Sequence, residues 1–431
     1  MSTARIVPGP PLRGEAALPG DKSVTQRAIL LGALAPGATR IAGGNPGADA
    51  SAALGIARAL GVRAERRGSD LVIHGGRLRE SERVLDARNS GTALRLGTGL
   101  LAAQPFLSIL TGDASLRRRP VARVIQPLRA LGADVSARER DRLPPVVVRG
   151  RALRGAEVDT GVPSAQVKSA VLLAAIQAAG TTTVREPAET RDHTERMLPL
   201  FGVTVHRDGG SIRVSGPATL HAAEVPVPGD LSSAAFLLAA ASLVPRSQVR
   251  LRGVGVNPTR TAFLGLLARL GAPVERAEER MAGGEPVADL LARGAPLRPF
   301  EVRAQEVPGL VDELPLAAVM AAFAPGTSEI RGAEELRVKE SDRIAAVTAG
   351  LTAIGVRVEE WPDGWTIHGT GRVRGGAVDA RGDHRIAMAF LVAGLRAREG
   401  VTVRGAEAAR VSDPGFLPRL RRLIAGGASG G

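Results

Sequence analysis

Cysteine is absent from these 431 residues, which excludes disulfides, thiolate metal ligands and a cysteine nucleophile. Tyrosine is absent too, and two tryptophans and eight phenylalanines are the only aromatics, so a base-stacking surface has little to be built from. The six histidines form no His-Glu-x-x-His pattern, which argues against a His-rich metal site. The most apolar stretches, 170–179 and 234–244, run for only about ten residues, far short of a bilayer span. Residues 1–20 hold prolines and charges but no apolar core of signal-peptide length. These absences lead us to expect a cytoplasmic protein with no membrane partner.

Lysine is the most informative scarcity. Only three occur among 57 Lys and Arg: Lys22, Lys168 and Lys339. A chain that uses arginine nearly everywhere keeps lysine where a compact ammonium able to exchange a proton is needed, since guanidinium stays charged. For Lys168 chance survival is an equally good reading. The net charge of +14 raises nucleic acid as a partner. The arginines are scattered, however, with Arg117-Arg118-Arg119 the only run of three, and acidic small molecules explain the charge better.

The chain repeats itself. An apolar residue followed by glycine, two further residues and valine or its equivalent recurs at Leu60-Gly61, Leu131-Gly132, Phe201-Gly202, Leu270-Gly271 and Ile354-Gly355, at intervals of 71, 70, 69 and 84 residues. The glycine fits a helix C-cap with a strand beginning just after it. The long last interval implies an insertion within 277–297, where Gly283-Gly284 and Pro286 suggest a loop. Small-residue apolar helices recur in the same rhythm at 27–35, 95–103, 170–179, 235–243, 316–324 and 386–395. Six α/β units in two domains of three is the expected organisation.

Each apolar helix is preceded by a polar entry: Asp21-Lys22-Ser23, Asn89-Ser90-Gly91-Thr92, Ser164-Ala165-Gln166, Asp230, Asp312-Glu313 and Asp383-His384-Arg385. These are N-cap residue types. Helix N-termini also offer free N–H groups and a positive dipole end to an anion. Lys or Arg beside several of them points to a multiply anionic ligand. No Gly-x-x-x-x-Gly-Lys-Ser/Thr loop or dinucleotide fingerprint accompanies them.

These motifs, together with Thr111-Gly112-Asp113-Ala114-Ser115-Leu116, Arg119-Pro120, Arg191-Asp192-His193-Thr194-Glu195 and Arg337-Val338-Lys339-Glu340-Ser341-Asp342-Arg343, occur in order along essentially the whole chain. The set resembles the 5-enolpyruvylshikimate-3-phosphate synthase family. The resemblance implies an α/β fold, an inside-out barrel of six βαβαββ repeats with helices inside and strands outside. It implies two domains, 1–13 plus 227–431 and 14–226, with crossings near 12–15 and 225–228 and an active site in the interdomain cleft. The implied activity joins shikimate 3-phosphate and phosphoenolpyruvate, with no cofactor and no metal, in a monomer that binds no nucleic acid.

By the same resemblance, Lys22, Ser23, Arg27, Ser164, Ala165, Gln166, Thr190, Arg191, Asp312 and Lys339 hold shikimate 3-phosphate. Phosphoenolpyruvate falls to Lys22, Asn89, Gly91, Arg119, Gln166, Arg343 and Arg385. Asp312 takes the proton of the attacking hydroxyl, Glu340 delivers one to the methylene carbon, and Lys22 protonates the bridging oxygen. Asp49 and Asp383 are expected to be structural. Three positions depart from the family pattern: Arg88 stands where glycine is usual, Val411 where lysine is frequent, and Thr25-Gln26 where Ser is followed by His or Asn. The rivals are the sister transferase acting on UDP-N-acetylglucosamine, which usually carries Lys-Asn and a cysteine, and an RNA-binding or RNA-end-modifying protein on related repeats.

Overall fold

The computed structural model describes residues 2–428. The chain divides into two compact units. One comprises the chain up to Pro19, Pro228–Arg280 and the chain from Pro286 onward; the other comprises Gly20–Val227 and Met281–Glu285. The first boundary, expected between residues 13 and 14, falls after Pro19. The reason is that strand Arg13–Ala17 pairs in parallel with Gln248–Gly255, Arg13 opposite Gln248 and Ala17 opposite Arg252.

Within the Gly20–Val227 unit lie three four-stranded sheets. Their orders are Glu157–Asp159, Gly180–Arg185, Ser211–Gly216, His206–Asp208; then Glu224–Pro226, Gly37–Ala42, Asp70–Gly75, Arg63–Arg67; then Leu85–Asp86, Leu107–Thr111, Leu143–Arg149, Asp134–Ala137. In each, the first pair is parallel and the next two antiparallel. The other unit also has three sheets. Two have four strands, and the third has three: Thr3–Ile6, Val401–Arg404 and Gly376–Asp379.

Six helices carry the entry motifs: α1 Lys22–Leu34, α2 Gly91–Leu101, α3 Ala165–Ala175, α4 Leu231–Leu243, α5 Leu314–Ala321 and α6 His384–Gly394. All begin earlier than their apolar stretches suggested, so the motif residues occupy the first helical turns. Every residue of α4, α5 and α6 is buried. Strands instead alternate, as in Leu143–Arg149, where Pro144, Val146 and Val148 turn inward. A helix apolar all round belongs inside, and a half-apolar strand covers it.

The five repeated glycines do cap helices. Gly61, Gly132, Gly202, Gly271 and Gly355 have φ of 89, 87, 87, 87 and 84°, a left-handed conformation that costs glycine nothing. The insertion read as a loop is instead a hairpin, Glu275–Ala282 and Glu285–Arg293, with Pro286 inside its second strand. Gly283 and Gly284 turn it with φ of 58 and 77°, the pair of positive angles a two-residue hairpin needs.

Small residues let the inner helices approach backbone to backbone. A Cβ on Gly99 of α2 would fall 2.0 Å from the Ala170 carbonyl oxygen of α3 and 2.7 Å from its Cα. Backbone cannot step aside as a flexible side chain can, so Gly99→Ala should cost about 3 kcal/mol or more through overpacking. Thermal and urea unfolding would check this; an unchanged midpoint would show that the two helices slide apart freely.

Candidate active site

In the Gly20–Val227 unit three capped helix N-termini meet. Asp21, Ser90 and Ser164 cap α1, α2 and α3, accepting from the backbone N–H of Val24, Ala93 and Val167. The Ser90 hydroxyl donates to Gln26 Oε1 at 2.7 Å, tying α2 to α1. Gln166 ties α3 to α2: its amide nitrogen donates to Thr92 Oγ1 at 2.9 Å, and its Oε1 accepts from Arg95 Nη1 at 2.6 Å. Dipole ends gathered this way make a positive floor suited to phosphate or carboxylate.

Lys22 opens α1, and its Nζ pairs with Asp49 Oδ2 at 2.8 Å while staying partly exposed. Asn89, Gly91 and Arg119 are brought together. Arg119 donates through Nη2 to Asn89 Oδ1 at 2.7 Å and to Ser115 Oγ at 3.0 Å, and through Nη1 to the Asn89 carbonyl at 3.2 Å. A Cβ on Gly91 would meet Arg95 Nη1 at 2.5 Å, so glycine there leaves room for two guanidinium groups.

Arg27 is buried and held on all three nitrogens, by Thr194 Oγ1 at 2.8 Å, the Ser23 carbonyl at 3.1 Å and Ser169 Oγ at 2.8 Å. Burial lowers its pKa to about 10, against the opposing pull of Glu195 and Asp21. Thr190 is committed to its own loop, its hydroxyl donating to Glu186 Oε2 at 2.5 Å. Arg191 follows it and is partly exposed, as are Ser23, Ser164 and Ala165.

The departures find physical accounts here. Arg88 has φ of 53°, the left-handed region that favours glycine, and its side chain is exposed. Thr25 Oγ1 donates to the Asp21 carbonyl at 2.7 Å and accepts from Asn45 N at 2.9 Å, while Gln26 makes the contact with Ser90.

The other unit repeats the device with acids added. Asp230 and Asp383 cap α4 and α6, accepting from Ser232 N and Arg385 N, both at 2.8 Å. Glu313, which precedes α5, makes no side-chain cap on it. Glu313 instead joins the three helices, its Oε1 accepting from Ser232 Oγ at 2.6 Å and from Arg385 Nη1 at 3.1 Å. Arg343, 1% exposed, sits among three carboxylates: Nε to Asp383 Oδ2 at 2.8 Å, Nη2 to Glu340 Oε2 at 2.6 Å and Nη1 to Asp312 Oδ1 at 3.7 Å. Burial alone would depress its pKa, but Asp383, Glu340 and Asp312 outweigh burial and hold it above the ordinary arginine value. Arg385 Nη2 reaches Asp312 Oδ2 at 3.7 Å. Lys339 is turned to Glu335, 2.8 Å away on the preceding turn. Val411 ends a 3-10 turn, partly buried, beside an exposed Arg410.

Glu313 and Arg95 have no role assigned from the sequence, yet Glu313 accepts from Arg385 and Arg95 donates to Gln166. The signals were present: an acid pair before a helix, and an arginine one turn into the helix that follows Asn89-Ser90. Among the described residues, no group of three or more His, Cys, Asp or Glu is arranged to hold a metal, and no helix is long and apolar enough to cross a membrane.

Comparison with known proteins gives a consistent picture. Residues 6–420 match the family described as EPSP synthase (3-phosphoshikimate 1-carboxyvinyltransferase). A 3-phosphoshikimate 1-carboxyvinyltransferase of Anaeromyxobacter is 51% identical over 420 residues, 97% of each chain. One from Geobacter sulfurreducens is 48% identical over 419 residues, 96% of this chain and 98% of its own. The EPSP synthase structure from Acinetobacter baumannii superposes with a TM-score of 0.86 at 40% identity, covering 98% of both chains. The enolpyruvyl transferase NikO from Streptomyces tendae shares the fold, at a TM-score of 0.79 and 20% identity over 97% of this chain and 96% of its own.

Proposed function

This chain belongs to the EPSP synthase family, the 3-phosphoshikimate 1-carboxyvinyltransferases, and on that premise we propose how its residues divide the work. The enzyme transfers the enolpyruvyl group of phosphoenolpyruvate to the 5-hydroxyl of shikimate 3-phosphate and releases phosphate. Neither the UDP-N-acetylglucosamine reading nor the RNA reading is favoured by any relative named above.

Addition requires the hydroxyl to lose a proton and the methylene carbon to gain one. Asp312 takes the first, and Glu340 delivers the second. In the elimination that follows, the new methyl group returns a proton to Glu340 as the carbon–oxygen bond to phosphate breaks. Lys22 protonates that bridging oxygen, so the proton taken up by Asp312 is balanced by the one leaving with phosphate. The single observation that carries this division is Arg343: one buried guanidinium pairs with both Asp312 and Glu340, leaving each acid side chain 21% exposed. A fixed cation between two carboxylates sets their positions without consuming either as a proton carrier.

Shikimate 3-phosphate takes Lys22, Ser23, Arg27, Ser164, Ala165, Gln166, Arg191, Asp312 and Lys339, with Thr190 shaping the loop beside it. Phosphoenolpyruvate takes Lys22, Asn89, Gly91, Gln166, Arg119, Arg343 and Arg385, since forked guanidinium groups match its carboxylate and phosphate. In this reading the enzyme works as a cytoplasmic monomer without cofactor. Arg119 offers a clean test, because the Asn89 amide oxygen, the Asn89 carbonyl and the Ser115 hydroxyl that accept from it are all uncharged. Arg119→Gln should raise KM for phosphoenolpyruvate about 10- to 100-fold, the worth of a charge-assisted hydrogen bond or two. The dissociation constant of shikimate 3-phosphate, by calorimetry, should stay within about twofold. Weakening of shikimate 3-phosphate alone would reverse the assignment.

A further inference from the structure

Lys168 is the one lysine that the reaction leaves unused, and the structure gives it a task. It lies on α3, one turn beyond Ser164-Ala165-Gln166, and is 1% exposed. Its ammonium donates to Glu186 Oε1 at 2.8 Å and to the Thr190 carbonyl at 3.2 Å, and it forms an ion pair with Glu195 Oε1 at 2.8 Å. Glu186 in turn accepts from the backbone N–H of Thr190 at 3.2 Å and from its hydroxyl at 2.5 Å. Every polar atom of Thr190 is therefore held, directly or through one carboxylate, by Lys168. The next residue is Arg191, at the end of the loop that joins strand Gly180–Arg185 to helix His193–Met197.

The neighbouring residue on α3 extends the same attachment. Ser169 Oγ accepts from Thr194 Oγ1 at 2.7 Å and from Arg27 Nη2 at 2.8 Å. Residues 186–195 are thus fastened to α3 at two successive positions. The chemistry also explains why lysine survived here. Three oxygens converge on one nitrogen in a closed space, which suits a compact ammonium. A planar guanidinium spreads its donors across three nitrogens and needs more volume.

We propose that Lys168 is a positioning residue for shikimate 3-phosphate, acting through Thr190 on Arg191. It holds the Arg191 loop in register with the Ser164–Gln166 turn of the same helix. This rests on the reading of Arg191 and that turn as ligands of shikimate 3-phosphate. A residue that merely stabilised the unit would shift both Michaelis constants and kcat together, whereas this role singles out one substrate.

The test is a double-mutant cycle on the full-length enzyme, with Lys168→Arg, Arg191→Met and the pair. Lys168→Arg should raise KM for shikimate 3-phosphate about tenfold, with kcat and KM for phosphoenolpyruvate within about twofold of wild type. In the Arg191→Met background the same change should add less than about twofold, because the residue it acts through has gone. Parallel loss in both substrates, or additive effects on shikimate 3-phosphate, would overturn the proposal. An unchanged KM in Arg191→Met alone would sink the binding role of Arg191 and the proposal with it. If Lys168→Arg does not fold, Lys168→Met combined with Glu186→Gln removes one charge of each sign, and it should show the same selective rise.

Discussion

Glu340→Gln should bind both substrates and turn over about a thousandfold more slowly, within the range that loss of a positioned general acid produces. The amide keeps an oxygen to accept from Arg343 Nη2, where the carboxylate now sits at 2.6 Å. Arg343 itself stays anchored, because Asp383 accepts from its Nε at 2.8 Å and from its Nη2 at 3.4 Å. Geometry and ligand binding should therefore survive, and the transferable proton alone is lost. Isotope exchange separates this from a general collapse. In D2O the wild type should carry deuterium into the methylene group of the product through the reversible methyl stage. Glu340→Gln should lose that exchange in proportion to turnover, with dissociation constants for both substrates within about threefold of wild type. Retained exchange at wild-type rates would move the acid to another residue.

Lys22→Arg should lower kcat about a hundredfold or more, although the charge is kept, again the scale of a lost proton donor. Asp49 Oδ2 lies 2.8 Å from Lys22 Nζ and Lys22 is partly exposed, so a guanidinium has a partner to pair with and some room to enter. Anion binding survives such a change. Protonation of the leaving oxygen does not, because guanidinium holds its proton too firmly to give it up near neutral pH. A role in charge alone predicts kcat within about tenfold of wild type. Lysine methylation or acetylation would be a poorer probe, since acetylation removes the charge as well.

Much of this was legible in the sequence because it is local. Gly61, Gly132, Gly202, Gly271 and Gly355 announce helix ends through a backbone conformation that other residues resist, and all five adopt it. Asp21, Ser90, Ser164, Asp230 and Asp383 announce helix starts through side chains that reach their own backbone. Glu313 broke that rule, since it turns to Arg385 and Ser232, both far away in sequence. The partners of Arg343 illustrate the other limit. Glu340 three residues away could be read from spacing, whereas Asp383 and Asp312 reach it only through tertiary packing.

The hairpin tip shows the same limit at the level of domains. Glu285 Oε1 lies 2.7 Å from His193 Nδ1, and Arg196 Nη1 donates to the Gly284 carbonyl at 3.2 Å, so residues 281–285 join the Gly20–Val227 unit. Glycines there signal a turn but not what the turn touches. For Lys168 the sequence leaves chance survival and a kept role equally good, because Glu186, Glu195 and Thr190 come around it only in the fold. Propensity and capping are written in neighbouring residues; ion-pair networks between distant segments are not.

Phosphate release from phosphoenolpyruvate is the most direct measurement, made with and without shikimate 3-phosphate, on wild type and on Lys22→Arg. Wild type should release phosphate only when shikimate 3-phosphate is present, and release should nearly disappear in the variant while both ligands still bind. Release without shikimate 3-phosphate, or undiminished release from Lys22→Arg, would contradict the proposed function.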